Sequence, residues 1–370
     1  DRKAGSIKQL TNIAEGKAEE EKEDKTSEKD AWVKDENLEL LEVVNQRKTE
    51  KESREAYQEA TAEKENYTFY LEDRDLSNLQ VSPNAKFATF KLITRERNGS
   101  TDVPNYVDES GYTVNLPARS KVGEDKTSIE LAIYNFEKDT VYTLKTDDLP
   151  GITDLPDYVK DYPDKEWEET QREVAPTTVY FSDNGEYAVV NLRSKDNKDR
   201  WIAKIDLETG DLNTLDRQRD EAWIAGPGIG YAYYGGEEMG WLPDNKHIYF
   251  QSEETGFSHL YLLDVTTGNK KALTEGDFEV FDPELSNNKK HWFLTTSEVG
   301  PGERHFYKMP VMGGEMEKLT QMEGNNNVFL SPDEKNMAIL HSYSNKPWEL
   351  YLKKTKANAE AKQLTEGQSE

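Results

Sequence analysis

Leu330-Ser331-Pro332-Asp333-Glu334-Lys335-Asn336 is a turn phrase set between two short apolar runs, and its recurrence decides the fold. Proline presets φ for the turn, and Asn, Asp or Gly accepts the tight or left-handed position before the chain reverses. The phrase stands also at Val81-Ser82-Pro83-Asn84-Ala85-Lys86-Phe87, at Phe181-Ser182-Asp183-Asn184-Gly185-Glu186-Tyr187 and at Trp241-Leu242-Pro243-Asp244-Asn245-Lys246-His247. A fifth copy reads Leu285-Ser286-Asn287-Asn288-Lys289-Lys290. Each copy joins two antiparallel strands, because the flanking residues alternate with period two and are rich in β-branched and aromatic types.

A second phrase closes each unit. Asp206-Leu207-Glu208-Thr209-Gly210 leads to Leu215, Asp264-Val265-Thr266-Thr267-Gly268 to Leu273-Thr274, Met312-Gly313-Gly314 to Leu319-Thr320, and Lys354-Thr355-Lys356 to Leu364-Thr365. From Leu273 to Leu319 is 46 residues and from Leu319 to Leu364 is 45. Four strands per unit at this period read as an all-β fold, a β-propeller of four-stranded antiparallel blades. Complete blades are expected at about 67–146, 176–222, 223–275, 276–322 and 323–366. The first is stretched by an excursion between Arg95 and Thr127, and Asp148 to Pro176 is a connection.

Outside the repeat the composition changes. Glu15 to Asp30 is nearly all charged and hydroxyl residues, too polar to offset the entropy of ordering. From Ala31 to Glu65, Trp32, Val33, Leu38, Leu41, Val44, Ala56 and Ala60 recur three to four residues apart between charges, which predicts an α-helical insertion near the N-terminus. The segment Asp1 to Thr11 has the form of a closing phrase with nothing ahead of it. It is expected to close a truncated blade, or else to complete one begun at the C-terminus. The organisation is therefore read as a partial blade over 1–13, the charged helical insertion over 14–66, about five complete blades over 67–366, and a linker over 367–370.

Net charge over the 370 residues is −26 at pH 7, which argues against nucleic acid and anionic membrane as main partners. No apolar run reaches the roughly 18 residues a membrane span needs. With no cysteine, disulfides, thiolate metal sites and cysteine nucleophiles are excluded. No metal or cofactor is expected. The five histidines are scattered on strands without ligand spacing, and His259 beside Leu260 and Tyr261 reads as a blade-filling residue. Gly256-Phe257-Ser258-His259-Leu260 lacks the last glycine of a nucleophile elbow, and Gly226-Pro227-Gly228-Ile229-Gly230 lacks the spacing of a dinucleotide loop. No catalytic residue is expected in this chain.

One stretch is less plain. Arg219 to Trp241 is glycine-dense, aromatic and acidic and lies between two blades, where binding residues collect on a rigid scaffold. Adjacent Glu237 and Glu238 could bind a cationic group such as a free α-amine, since two carboxylates double the Coulomb attraction in a partly dry pocket. The alternative is an exposed acidic turn in an acidic protein.

Phe329-Leu330-Ser331-Pro332-Asp333, Gly240 to Lys246 and Gly256-Phe257-Ser258-His259-Leu260-Tyr261 resemble the N-terminal propeller of the prolyl oligopeptidase family, in its dipeptidyl peptidase IV-like branch. Val103 to Tyr112 and Asp220 to Gly228 are similar to bacterial members of that group. The resemblance, over roughly 67–366, implies a propeller that caps a C-terminal α/β-hydrolase domain of a serine peptidase. It implies a domain that gates access and helps hold the peptide N-terminus, with peptide substrates and the hydrolase domain as partners. Periplasmic or secreted location is implied with it. In dipeptidyl peptidases a Glu-Glu pair follows an Asp-Trp phrase. After Trp223-Ile224 this chain reads Ala225-Gly226-Pro227-Gly228, and Glu237 and Glu238 come later. The chain stops near where the hydrolase domain would start, so no triad residue is carried over. The alternative function is a stand-alone propeller scaffold for protein–protein interaction.

Overall fold

The structure is a computed structural model, and it describes residues 9–18, 32–33, 36, 42–61, 66–96, 99–121, 123–124, 127–230 and 237–367. The chain divides into two compact units. One comprises Asp1–Ser77, Leu92–Thr127 and Tyr134–Val141, the other Asn78–Lys91, Ser128–Ile133 and Tyr142–Glu370.

In the first unit a 20-residue helix, Glu42–Thr61, occupies part of the expected insertion. Its exposed surface carries i,i+4 pairs, Lys48 with Glu52 and Lys51 with Glu55, at 3.9 and 3.6 Å. Strand Asn12–Ala14 runs parallel to Thr68–Tyr70, Ile13 lying opposite Phe69. The rest of the expected N-terminal strand, 1–8, lies outside the described residues, as do 19–31. The excursion after Arg95 contains a hairpin, Asp102–Asn105 against Val114–Pro117, with Val103 opposite Leu116.

The repeat appears as five four-stranded antiparallel sheets. The first is built from Asp75–Val81, Phe87–Thr94, Ser128–Asn135 and Thr140–Thr143, in that order. The other four take consecutive strands from 174–219, 239–272, 280–318 and 325–363, each strand beside its neighbours in sequence. The connection between the first two sheets holds one turn of 3-10 helix, Asp157–Asp161.

The turn phrase works through its serine. In the Ser82 copy the Ala85 N–H donates to the Ser82 carbonyl at 2.8 Å, closing the turn. The serine hydroxyl accepts the backbone N–H of the residue five places on, Phe87, Tyr187, His291 or Asn336, at 2.9–3.0 Å. That hydroxyl in turn donates to the Asn or Asp two residues later. Where Leu242 replaces serine, Asp244 accepts the N–H groups of Lys246 and His247 itself. The residue that must turn left-handed is Ala85, Gly185, Asn245, Lys289 or Glu334, with φ between 53° and 68°.

The closing Leu-Thr phrase has an equally local cause. The leucine N–H continues the ladder: Leu273 to the Leu260 carbonyl, Leu319 to Phe306 and Leu364 to Leu350. The following threonine hydroxyl accepts the N–H of that same partner, Leu260, Phe306 or Leu350, at 2.8–3.1 Å. In two sheets it also meets a buried imidazole, His259 Nδ1 at 3.0 Å and His305 Nδ1 at 3.1 Å. His259 Nε2–H donates to the Gly276 carbonyl, which leaves Nδ1 as the acceptor of the Thr274 hydroxyl. These histidines thus fill the sheets, as expected for His259.

Packing between successive sheets makes the core. Phe87, Leu131 and Ile133 meet Ala188, Val190, Leu192 and Trp201; Val189 and Ile202 meet Ile248 and Phe250. Leu260 and Leu262 meet Trp292 and Leu294, and Phe293 and Phe306 meet Met337 and Ile339. Each Val, Leu, Ile, Phe or Met side chain among them contributes about 1.5–3 kcal/mol when fully buried. Trp201 and Trp292 are wholly buried, their Nε1–H donated to the Pro150 and Val311 carbonyls at 2.9 Å.

Candidate functional site

Glu237 and Glu238 stand at the entrance of the third sheet, the two residues immediately before its first strand, Met239–Trp241. Segment 226–229 is tied to them: Ile229 bridges Glu237 antiparallel, and the Glu238 N–H donates to the Gly228 carbonyl at 2.9 Å. Consecutive residues in an extended strand point to opposite sides, so the two carboxylates have different surroundings.

Glu237 turns toward the second sheet. Arg200 Nη2 lies 3.2 Å from Glu237 Oε1, with the arginine side chain fully buried. The same guanidinium donates to Asn191 Oδ1 at 3.0 Å and to the Gln251 carbonyl at 2.7 Å. The Tyr180 hydroxyl is 3.5 Å from Glu237 Oε2, and burial, with Glu237 next, pushes that phenol well above its ordinary range. Lys91 also feels the Glu237 charge, although burial still pulls its ammonium down.

Glu238 turns the other way, into a cavity of about 390 Å³ lined by Ala225, Gly226, Pro227, Gly228, Phe281 and Asp282. Among the described residues no donor or cation pairs with its carboxylate. Burial raises its pKa, and Asp282, Glu284 and Glu237 raise it further. The site therefore concentrates negative potential at one end of an apolar-walled recess, an arrangement that attracts a cation carrying an apolar group.

The cavity wall is fastened from behind. Ser258 Oγ donates to the Pro227 carbonyl at 2.7 Å, and Arg193 Nη2 to the Ile229 carbonyl at 2.5 Å. The Glu253 carboxyl accepts the Ala225 N–H, and its pKa is pushed up to about 7, first by burial and then by Glu279 and Asp220. Gly226 and Gly228 adopt φ of 120° and 68°, and a Cβ on either would run into Glu253 or Gln251. Only glycine lets this segment approach so closely. At its start, Asp220 Oδ1 accepts the N–H groups of Ala222 and Trp223 at 2.6 and 2.9 Å.

Sequence reasoning singled out Glu237, Glu238 and the glycine segment but missed Asp282 and Glu284. The signal was present: Phe281-Asp282-Pro283-Glu284 places proline inside a strand, which points to a bulge. The register does shift between Phe281 and Glu284, and Asp282 takes φ 45°. Ser258 is engaged with backbone and Gln251, at 3.1 Å from Gln251 Nε2, and no imidazole primes it. Among the described residues no group of three or more His, Asp and Glu side chains forms a metal-ligand set. No described helix is long and apolar enough to cross a membrane.

Two solved structures share this architecture. Dipeptidyl peptidase 4 of Porphyromonas gingivalis superposes with a TM-score of 0.51 at 16% identity, over 76% of this chain and 36% of its own. A dipeptidyl aminopeptidase IV from Bacteroides ovatus gives 0.51 at 15%, over 78% of this chain and 39% of its own. At such identities the likeness is one of fold, and the chain spans less than two fifths of either relative. The family model for the dipeptidyl peptidase IV N-terminal region matches residues 31–348. With the repeated four-stranded sheets and a match over most of its length, the chain belongs to the dipeptidyl peptidase IV N-terminal region family.

Proposed function

We propose that this chain is the non-catalytic propeller portion of a serine exopeptidase or oligopeptidase, gating access and positioning the peptide N-terminus for an α/β-hydrolase domain elsewhere in the same polypeptide. Glu238, with Asp282 beside it, receives the free α-amine, while Glu237, neutralised by Arg200, holds the pair in place. The observation that carries this reading is the half-buried Glu238 carboxylate, which no described residue pairs, at the acidic end of a recess walled by Pro227 and Phe281. An ammonium there gains an attraction worth more than in bulk water. A recess of fixed width favours extended peptides over folded domains.

Calorimetric titration with Ala-Ala and N-acetyl-Ala-Ala tests it. The free-amine dipeptide should bind, and its acetylated form should not. Glu238→Gln should weaken the first by about tenfold or more, the loss of one charge-assisted hydrogen bond. Equal binding of the two dipeptides to the unaltered chain would sink the proposal. No dipeptide amide should be hydrolysed by this chain alone, and turnover surviving repurification would place chemistry here that this reading lacks.

A further inference from the structure

Besides Glu238 itself, two segments line the recess: 225–228, and Phe281 with Asp282. The first belongs to the connection into the third sheet, the second to the opening strand of the fourth, Val280–Leu285. One buried side chain joins them. Gln251, on the second strand of the third sheet, His247–Ser252, is fully buried. Its Nε2 donates one hydrogen to the Val280 carbonyl at 2.8 Å, next to Phe281 in the chain, and the other to Ser258 Oγ at 3.1 Å. Ser258, also fully buried, donates its hydroxyl hydrogen to the Pro227 carbonyl at 2.7 Å.

Three hydrogen bonds in series thus run from one lining segment to the other. Their direction is fixed, because both carbonyls can only accept and a hydroxyl has one hydrogen to give. Each link has a narrow range of length, and burial leaves no solvent to replace one. Gln251 also reaches the other parts of the recess. Its backbone carbonyl accepts Arg200 Nη1 at 2.7 Å, from the guanidinium that holds Glu237. Its Oε1 meets no hydrogen-bond donor among the described residues and lies against Gly228, where a Cβ would stand 1.8 Å from Oε1 and 3.1 Å from Glu238 Cβ. A buried acceptor without a donor lowers stability, which points away from a purely stabilising role for this side chain.

We propose that Gln251 is a positioning residue that sets the separation of the two lining segments, and with it the size of side chain the recess admits, a role that rests on the proposed function only for naming that side chain as the peptide's first. Segment 225–228 is the one released when the series is broken. Gly226 and Gly228, at φ 120° and 68°, have backbone conformations open to them that other residues rarely adopt.

Reagents of graded size measure the separation without any peptide. The 370 residues contain no cysteine, so Glu238→Cys places a single thiol in the recess. Its rates with benzyl and methyl methanethiosulfonate give a ratio that reports how well the wider group fits. Gln251→Met keeps the length of the side chain and removes both donors, and should raise that ratio by about threefold or more, the worth of one hydrogen bond. Ser258→Ala breaks the same series and should act alike. Because the links are in series, the double variant should go little further than either single one. Ile339→Cys, buried in the fifth sheet, reports general loosening in the same backgrounds and should label no faster. An unchanged ratio in the single variants would overturn the proposal, as would a rise matched at position 339 or effects that simply add in the double variant. Titration with Ala-Ala is a separate measurement: a chain that ignores the free amine yet shows this change of ratio loses the proposed function and keeps the role of Gln251.

Discussion

Arg200 and Glu237 form an ion pair at 3.2 Å that joins the third strand of the second sheet to the entrance of the third, with the guanidinium wholly out of water. The pair fixes which acid of Glu237-Glu238 is spent on structure. With Glu237 held toward Arg200 and Tyr180, strand geometry sends Glu238 to the opposite side, over Pro227 and Phe281.

Removing one partner leaves the other buried without compensation. Arg200→Met should lower the unfolding free energy by about 3–5 kcal/mol, and adding Glu237→Leu should recover most of it. Urea titration of the two variants decides this. Equal stability of the single and double variants would mean that the pair is not coupled.

Glu253 makes stability depend on pH. Its carboxyl keeps its proton to about 7 in the folded chain, against an ordinary 4.5, because burial and then Glu279 and Asp220 disfavour the charge while Arg193 opposes them more weakly. Between those values the folded state holds more protons than the unfolded one. The contribution of this group is therefore complete below pH 4.5 and is lost as pH rises toward 7. Chemical denaturation from pH 4 to 8 should show that decline, and Glu253→Gln should flatten it. An unchanged slope in the variant would assign the dependence to another group.

The Leu-Thr phrase predicts a graded series. Thr274→Val leaves the Leu260 N–H and His259 Nδ1 without that hydroxyl and should cost about 1–3 kcal/mol, as should Thr320→Val for the Phe306 N–H and His305 Nδ1. Thr365 is exposed, water can replace its hydroxyl, and Thr365→Val should cost under about 1 kcal/mol. A uniform loss across the three would show that burial does not set the penalty.

Asp199 gathers three arginines. Its fully buried carboxylate accepts from Arg172, Arg217 and Arg219 at 2.6, 2.8 and 2.5 Å, and these reach on to Asp196, Asp154 and Glu221. Asp199→Asn keeps the shape and removes the charge, and should cost about 3–5 kcal/mol. Hydrogen exchange should quicken in 151–155 and 219–224, the two segments that the arginines hold. Exchange unchanged there would mean the segments are anchored otherwise.

Much of the fold was legible because its signals are local. A serine hydroxyl accepting an N–H five residues away, and a residue at φ near 60°, need only the phrase itself. The spacing of Leu273, Leu319 and Leu364 likewise reports one hydrogen bond repeated in the third, fourth and fifth sheets. The acidic pair and the glycine segment were visible as composition for the same reason.

What sequence alone determined is thus the unit and its repetition: four strands, two kinds of turn, and an apolar alternation that must be covered on both faces. Tertiary structure decided which member of Glu237-Glu238 is neutralised, since Arg200 lies 37 residues away in the chain. It likewise decided that Asp282, on the next sheet, completes the recess, and that Leu352 stands open where Leu262 is covered. The physical reason is range. Hydrogen bonds within a phrase are set by neighbours along the chain, whereas a carboxylate's charge and a leucine's burial are set by whatever the fold brings beside them.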